Sequence, residues 1–344
     1  MDYPLIWSIL IATAVMLYVI LDGFDLGIGV LTLFAKDDEE RNMMTATIEP
    51  VWDGNETWLI MGGGGLFAAF PLAYAIIMPA MYMPILIMLA ALIFRGVAFE
   101  FRHKAVRKPT KLFWNGAFAY GSLTAAIAQG FILGGFIKGM TVEGRDFAGG
   151  QFDWLSPFSI MVAGAVVIGY VLLGSCWLYL KTIGDLQNGA RKWARRSLIG
   201  VALAMAAVSL ATLSIDPRVT ARWGVSMTSV DFSKFIWLAP IPLAGGALMW
   251  RLMRDLRPDS TAPDWRPILL AIGVFLSGYL GLAVSLFPYL VPFEVTIWEA
   301  AARDNALALM FVGAAVMLPT ILIYTAYVYK IFWGKVKPGD GYHH

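Results

Sequence analysis

The sequence predicts an all-α polytopic membrane protein with nine transmembrane helices. Three observations lead there. The 344-residue chain is 59% hydrophobic and only 15% charged, with a mean hydropathy of +0.68, whereas a soluble domain is about 45–50% apolar and about 25% charged. Nine runs are each near the roughly 20 apolar residues that a bilayer crossing needs. Lysine and arginine are sorted between alternate connections. The runs use nearly the whole chain, so residues 1–344 are read as a single integral membrane domain.

The helices are placed, within a few residues, at about 5–34, 53–71, 76–99 and 114–138, then at about 157–180, 197–214, 235–253, 267–287 and 305–332. Their connections are short, which predicts a close-packed bundle. The opening MDYPLIW lacks a basic stretch and is not read as a signal peptide. Of the 26 lysines and arginines, nineteen lie after helices one, three, five and seven and in the C-terminal tail. They include Lys36, Arg102, Arg195, Arg254, Lys335 and Lys337. Six lie on the other side, and Arg95 falls within helix three. The positive-inside rule makes the first side cytoplasmic. The N-terminus is then outside, the C-terminus inside, and the expected home is a bacterial cytoplasmic (inner) membrane. The basic residues follow topology, so nucleic-acid binding is not indicated.

Helix one carries LDGFDLGIG. From Leu5 to Asp22 is 17 steps, or about 25 Å of helix, so Asp22 and Asp25 sit near the inner edge of a hydrocarbon core about 30 Å thick. Three residues apart, they share a face. A carboxylate at that depth is unfavourable by a few kcal/mol unless it meets protein, a partner or water. Either the pair faces the bundle interior, or it marks a helix end among headgroups. Gly23, Gly27 and Gly29 strip bulk from the same segment and permit close helix approach.

Helix two opens from the same side with IEPVWDGNETWLI. Asp53 and Glu56 have capping-box spacing, which is one reading. The other joins Glu49, Asp53, Asn55 and Glu56, around Trp52 and Trp58, to the aspartates of helix one. Such a carboxylate cluster at a bundle mouth suits proton uptake. Gly62 to Gly65 serve tight packing or a hinge. Arg95, in LIFRGVAFEFR, either snorkels or pairs with Glu100 or with the acidic cluster.

The absences also discriminate. Of the three histidines, His103 lies in a basic loop and His343 and His344 lie on the tail, so no bis-histidine haem or copper site is expected here. Cys176 is the one cysteine, which excludes an internal disulfide and a cysteine-based metal cluster. Met78, Met81, Met83 and Met88 read as packing. Walker A, dinucleotide-binding and nucleophile-triad patterns are missing. Alone, the chain shows no redox equipment.

DGFDLGIG at 22–29, PVWDGNETWL at 50–59 and LIFRGVAFEFR at 92–102, with FAGG at 147–150 and DWLSPFS at 153–159, resemble the signature segments of subunit II of the cytochrome bd-type quinol oxidases. The first three are long and specific. From about Arg191 onward the resemblance is one of helix pattern, with details closer to the cyanide-insensitive branch. The resemblance implies two four-helix bundles plus a peripheral helix. It implies a complex that oxidises quinol and reduces dioxygen to water, with haem b and haem d-type centres in subunit I and none ligated by this chain. Implied partners are that haem-bearing subunit in a heterodimer, a small single-helix subunit, quinol reached through subunit I, and lipid. Some members carry a structural quinone in subunit II. Carried over by position, Asp53, Asp22 and Asp25 become a cytoplasmic proton pathway with Asn55 and Glu56 beside them, and Trp58 lies near an oxygen route. Trp52, Arg95 and Glu100 are expected in structural or ion-pair roles. Two other classes stay open: an ion-coupled secondary transporter, and a scaffold without a proton role.

Overall fold

The computed structural model describes residues 1–225 and 231–336; Lys337, His343, His344 and the side chain of His103 lie outside the described residues. Helix α1 (Tyr3–Leu31) begins at an Asp2 cap with Pro4 in its first turn, and a 3₁₀ turn (Thr32–Phe34) follows. The expected short loop to the next span contains a further amphipathic helix, α2 (Asp38–Ala46), capped by Asp37. Then come α3 (Trp52–Ala69) and α4 (Pro71–Ala80). The third apolar run, expected as one helix from about residue 76, is divided at Met81 into α4 and α5 (Tyr82–Lys104). Pro84 in the first turn of α5 fits a helix start, where its missing N–H is not needed.

Helix α6 (Lys108–Lys138) returns across the bundle. A hairpin of β1 (Val142–Glu143) and β2 (Asp146–Phe147) leads to α7 (Pro157–Lys181), whose Ser156 and Ser159 form a reciprocal cap. Helix α8 (Gly184–Thr212) starts earlier than expected, so Arg191, Lys192, Arg195 and Arg196 ride on its first turns. After α9 (Pro217–Trp223), α10 (Phe232–Leu238) and α11 (Pro240–Asp255) replace one expected helix by a pair bent at 43° around Ala239 and Pro240. Helix α12 (Arg266–Leu286), the hairpin β3 (Tyr289–Val291) and β4 (Val295–Thr296), α13 (Ile297–Ala300) and α14 (Asp304–Ile331) complete the chain. The fold is therefore mostly helical, with two small hairpins in connections that hydropathy could not assign.

Among the described residues, seven helices are long and apolar enough to cross a membrane, and an eighth crossing results if α10 and α11 form one span. The residues Asp53, Asn55, Glu56 and Thr57 make the first two turns of α3 polar and keep it out of that count. Helix α1 packs against α3, α6 and α7; α12 joins the α11–α12 hairpin to α7; α14 buries only Leu307. The α1–α7 seam is tight because both helices present glycine. A Cβ at Gly27 would lie 1.8 Å from the Tyr170 carbonyl oxygen, and one at Gly174 would lie 2.7 Å from the Gly27 backbone. Phe24 and Trp177 stack beside that crossing with centroids 4.3 Å apart. Backbone contact of this kind substitutes dispersion and packing for the hydrophobic drive that lipid removes. The seam sets the depth and rotation of α1, and so the direction in which Asp22 and Asp25 point.

Candidate functional site

Asp22 and Asp25 are fully buried, and Arg95 is 1% exposed. They do not end a helix among headgroups, because α1 continues for six residues past Asp25. The Arg95 guanidinium reaches across from α5. Its Nη1 donates to Asp22 Oδ1 at 2.8 Å and lies 3.6 Å from Glu56 Oε2, and its Nη2 lies 3.9 Å from Asp25 Oδ2. Snorkelling is thereby overturned: the head is enclosed by carboxylates, with Trp52 flanking it at 6.0 Å. The pairing of Arg95 with Glu100 is corrected too. Five residues along a helix turn the side chains about 140° apart, and no ion pair joins them among the described residues. Glu100 acts instead on Glu49.

Asn55 ties α3 and α14 to the cluster. Its Nδ2 donates to Asp25 Oδ2 at 2.8 Å and to the Leu21 carbonyl at 3.3 Å, and its Oδ1 accepts from the Tyr329 hydroxyl at 2.8 Å. Glu56 is half-buried and connects the enclosed pair to the outer face of α3. Capping by Asp53 is corrected: Val51, two residues earlier, occupies the cap position, and Asp53 lies exposed within the first turn. It remains close enough to act electrostatically on Glu56. Trp58 is buried beside Ala14 and Tyr18, and Trp52 packs on Phe99 with centroids 5.2 Å apart. Gly62 and Gly65 lie against Val15 and Ile11 of α1, whereas Gly63 and Gly64 face open space. Helix α3 is continuous through all four, so they form no unwound segment.

Sequence reasoning missed Tyr329 and a second polar link. Gln129 donates to the Tyr18 hydroxyl at 2.6 Å and accepts from the Tyr170 hydroxyl at 2.5 Å. This link crosses α1, α6 and α7 one turn outward from Asp22. Two signals were present: Gln129 interrupts an apolar run, and Tyr18 stands four residues before Asp22.

On the basic side lies a cavity of about 530 Å³, lined by Glu49, Lys181, Phe332 and Lys335 among others. Lys181 donates to the Phe332 carbonyl, and Val336 N donates to the Lys181 carbonyl at 2.8 Å, which ties the chain's last described residues over this cavity. Burial, and next the Glu100 charge, push the Glu49 carboxyl up to about 7, against the opposing charge of Arg102. An acid that titrates near neutrality thus lines this cavity. Arg95 faces Asp22, Asp25 and Glu56, so one guanidinium is shared among three carboxylates.

Residues 3–332 match the family model described as cytochrome bd terminal oxidase subunit II. The chain belongs to the cytochrome bd terminal oxidase subunit II family. It is 30% identical over 340 residues to cytochrome bd ubiquinol oxidase subunit 2 of Bacillus subtilis (strain 168), covering 96% of each chain. It is 28% identical over 367 residues to cytochrome bd-I ubiquinol oxidase subunit 2 of Escherichia coli (strain K12), covering 97% of this chain and 95% of that one. The bd oxidase of Geobacillus thermodenitrificans shares the fold, with a TM-score of 0.75 at 16% identity over 96% of this chain and 99% of that one. For a subunit II chain, the described residues offer no group of three or more His, Cys, Asp or Glu side chains that could hold a metal ion. Its one thiol, Cys176, is fully buried in the hydrophobic core.

Proposed function

We propose that this chain is the non-haem subunit of a membrane quinol:dioxygen oxidoreductase in a bacterial inner membrane. It crosses the bilayer nine times when α3 and the α10–α11 pair are both counted. It holds the haem-bearing subunit I in place and supplies the cytoplasmic end of a proton path. No histidine falls within an apolar run of the sequence, which supports placing the haems in the partner, and no step is routed through them in this chain. The partners are subunit I, quinol reached through it, lipid, and a small single-helix subunit.

The observation that carries the proton role is the enclosed Arg95–Asp22–Asp25 group with Glu56 as its half-exposed edge. Burying two carboxylates beside one guanidinium, with a third at its edge, is a poor way to gain stability, because desolvation offsets much of the attraction. It is a suitable way to hold exchangeable protons beside a fixed positive charge. Oδ2 of Asp22 and Oδ1 of Asp25 make no hydrogen bond among the described residues and keep acceptor capacity for that exchange. Glu49 would collect protons from the cytoplasm, Glu56 would pass them inward, and Asp53 on the exposed face of α3 would pass them towards subunit I. Trp58, enclosed between α1 and α3, would border an oxygen route.

The test uses the assembled complex. Asp25→Asn and Asp53→Asn should each lower quinol oxidase turnover about tenfold or more, with haem spectra and subunit composition unchanged. Normal turnover in both removes the proton role. Loss of haem assigns the residue to assembly instead.

A further inference from the structure

The α11–α12 hairpin ends in a cup of about 270 Å³ lined by Arg251, Arg254, Asp255, Arg257, Asp259 and Arg266 together with the connecting Ser260 and Thr261. That volume equals the liquid share of about nine waters. The cup is far in sequence from the Asp22 cluster and serves none of the functions described above. Its charges divide into two sets. Asp255 is 4% exposed and holds Arg251 Nε at 3.3 Å and Arg266 Nη2 at 3.1 Å. This buried carboxylate fixes two guanidiniums as a floor. Arg254 and Arg257 are exposed and make no ion pair among the described residues. Four guanidiniums therefore stand against two carboxylates, leaving an excess of two positive charges.

Position selects the ligand. The cup lies at the end of the bundle that the lysine and arginine distribution assigns to the cytoplasm. Trp250 on α11 and Trp265 at the cap of α12 are 62% and 44% exposed. Exposed indoles in a spanning protein mark the headgroup layer. The Arg254 guanidinium lies 4.9 Å from the Trp250 ring centroid, so the arginine is held beside that exposed indole. The connection is itself closed by turns: Arg257 N donates to the Arg254 carbonyl, Ser260 N to the Arg257 carbonyl and Arg266 N to the Pro263 carbonyl. The rim is thus preformed, and the N-terminus of α12 adds its partial positive charge. Paired, forked donors at headgroup depth match a phosphodiester rather than a carboxylate in free solution.

We propose that this cup binds the phosphodiester headgroup of an anionic phospholipid of the cytoplasmic leaflet, with Arg254 and Arg257 as the exchanging contacts and Arg251 and Arg266 as the fixed ones. The shared chemistry with inorganic phosphate is separated by the test. The purified complex is titrated with phosphatidylglycerol in detergent and bound lipid is counted by native mass spectrometry. Three samples are compared: the unaltered complex, an Arg254→Gln/Arg257→Gln double variant, and an Arg195→Gln/Arg196→Gln control that removes equal charge from the same side. Both altered arginines of the cup are exposed, so folding is not at issue; circular dichroism checks it.

One phosphatidylglycerol should bind tightly to the unaltered complex and to the control. It should bind about 30-fold more weakly to the cup variant, as expected for two cations near a charged headgroup. Phosphatidylcholine should not compete, and millimolar inorganic phosphate should not displace the lipid. Equal affinity in the cup variant and the unaltered complex, or equal loss in the control, overturns the site. Full displacement by inorganic phosphate overturns the lipid as its ligand.

Discussion

Replacing Arg95 by Gln leaves Asp22 and Asp25 buried without their cation. The 2.8 Å contact to Asp22 corresponds to a gross attraction of about 6 kcal/mol at an effective dielectric constant of about 20, and desolvation of both ions opposes it. Breaking a buried pair by removing one partner typically destabilises by about 3–5 kcal/mol, since the remaining charge stays enclosed. That range is expected for Arg95→Gln. Asp22→Asn should be milder, because Arg95 retains Glu56 at 3.6 Å and Asp25 at 3.9 Å. The double variant should cost less than the sum of the two singles, with an interaction of about 1–3 kcal/mol. The assay is denaturant unfolding of the detergent-solubilised complex, followed by tryptophan fluorescence; Trp52 reports locally, 6.0 Å from the guanidinium. Additivity within about 0.5 kcal/mol refutes the ion pair as the organiser of this site.

Other expectations follow from neighbouring contacts. Gly27→Ala puts a carbon 1.8 Å from the Tyr170 carbonyl oxygen; since an ordinary carbon–oxygen contact is about 3.3 Å, α1 and α7 must part by about 1.5 Å. Thermal stability should fall by at least about 1–3 kcal/mol, and an unchanged melting temperature contradicts the close crossing. Gln129→Leu strands the Tyr170 hydroxyl and should destabilise by about 1–3 kcal/mol, measured by the same unfolding. Glu49 should titrate near pH 7. With its folded-state value raised, the neutral form is favoured on folding, so the stability it contributes is present below the ordinary carboxylate range and is lost as pH rises through about 7. A carboxyl C=O infrared band that fades through this range and is missing in Glu49→Gln is the expected signature. A band that has already faded at pH 5 contradicts it.

Most of the spans were legible because apolar length reports directly on bilayer thickness: seven helices among the described residues are long and apolar enough to cross, and an eighth results if α10 and α11 form one span. Asp22, Asp25, Asn55, Glu56 and Arg95 stood out for a related reason: a polar group within an apolar run requires a partner. Which partner was not legible. Arg95 has acids on three segments within reach of its depth, and only the rotation of α5 decides between Glu100 and the α1 pair. Tyr329 was missed because it looks ordinary in its own helix; Gln129 interrupts an apolar run, but its partners lie on two other helices and are set only by packing. Capping by Asp53 does not occur because α3 begins at Trp52, two residues before the motif suggests. Helix breaks at Met81 and Ala239 were hidden by continuous hydrophobicity, which does not register direction.

In the function proposed above, the carboxylates around Arg95 admit protons for chemistry performed in the partner subunit. The most direct measurement is proton uptake during the reaction of the fully reduced complex with oxygen, followed with a pH-indicator dye on the cytoplasmic side. In Glu56→Gln, uptake should slow by about tenfold or more with haem content and oxygen binding unchanged. Uptake at the unaltered rate in that variant contradicts the account.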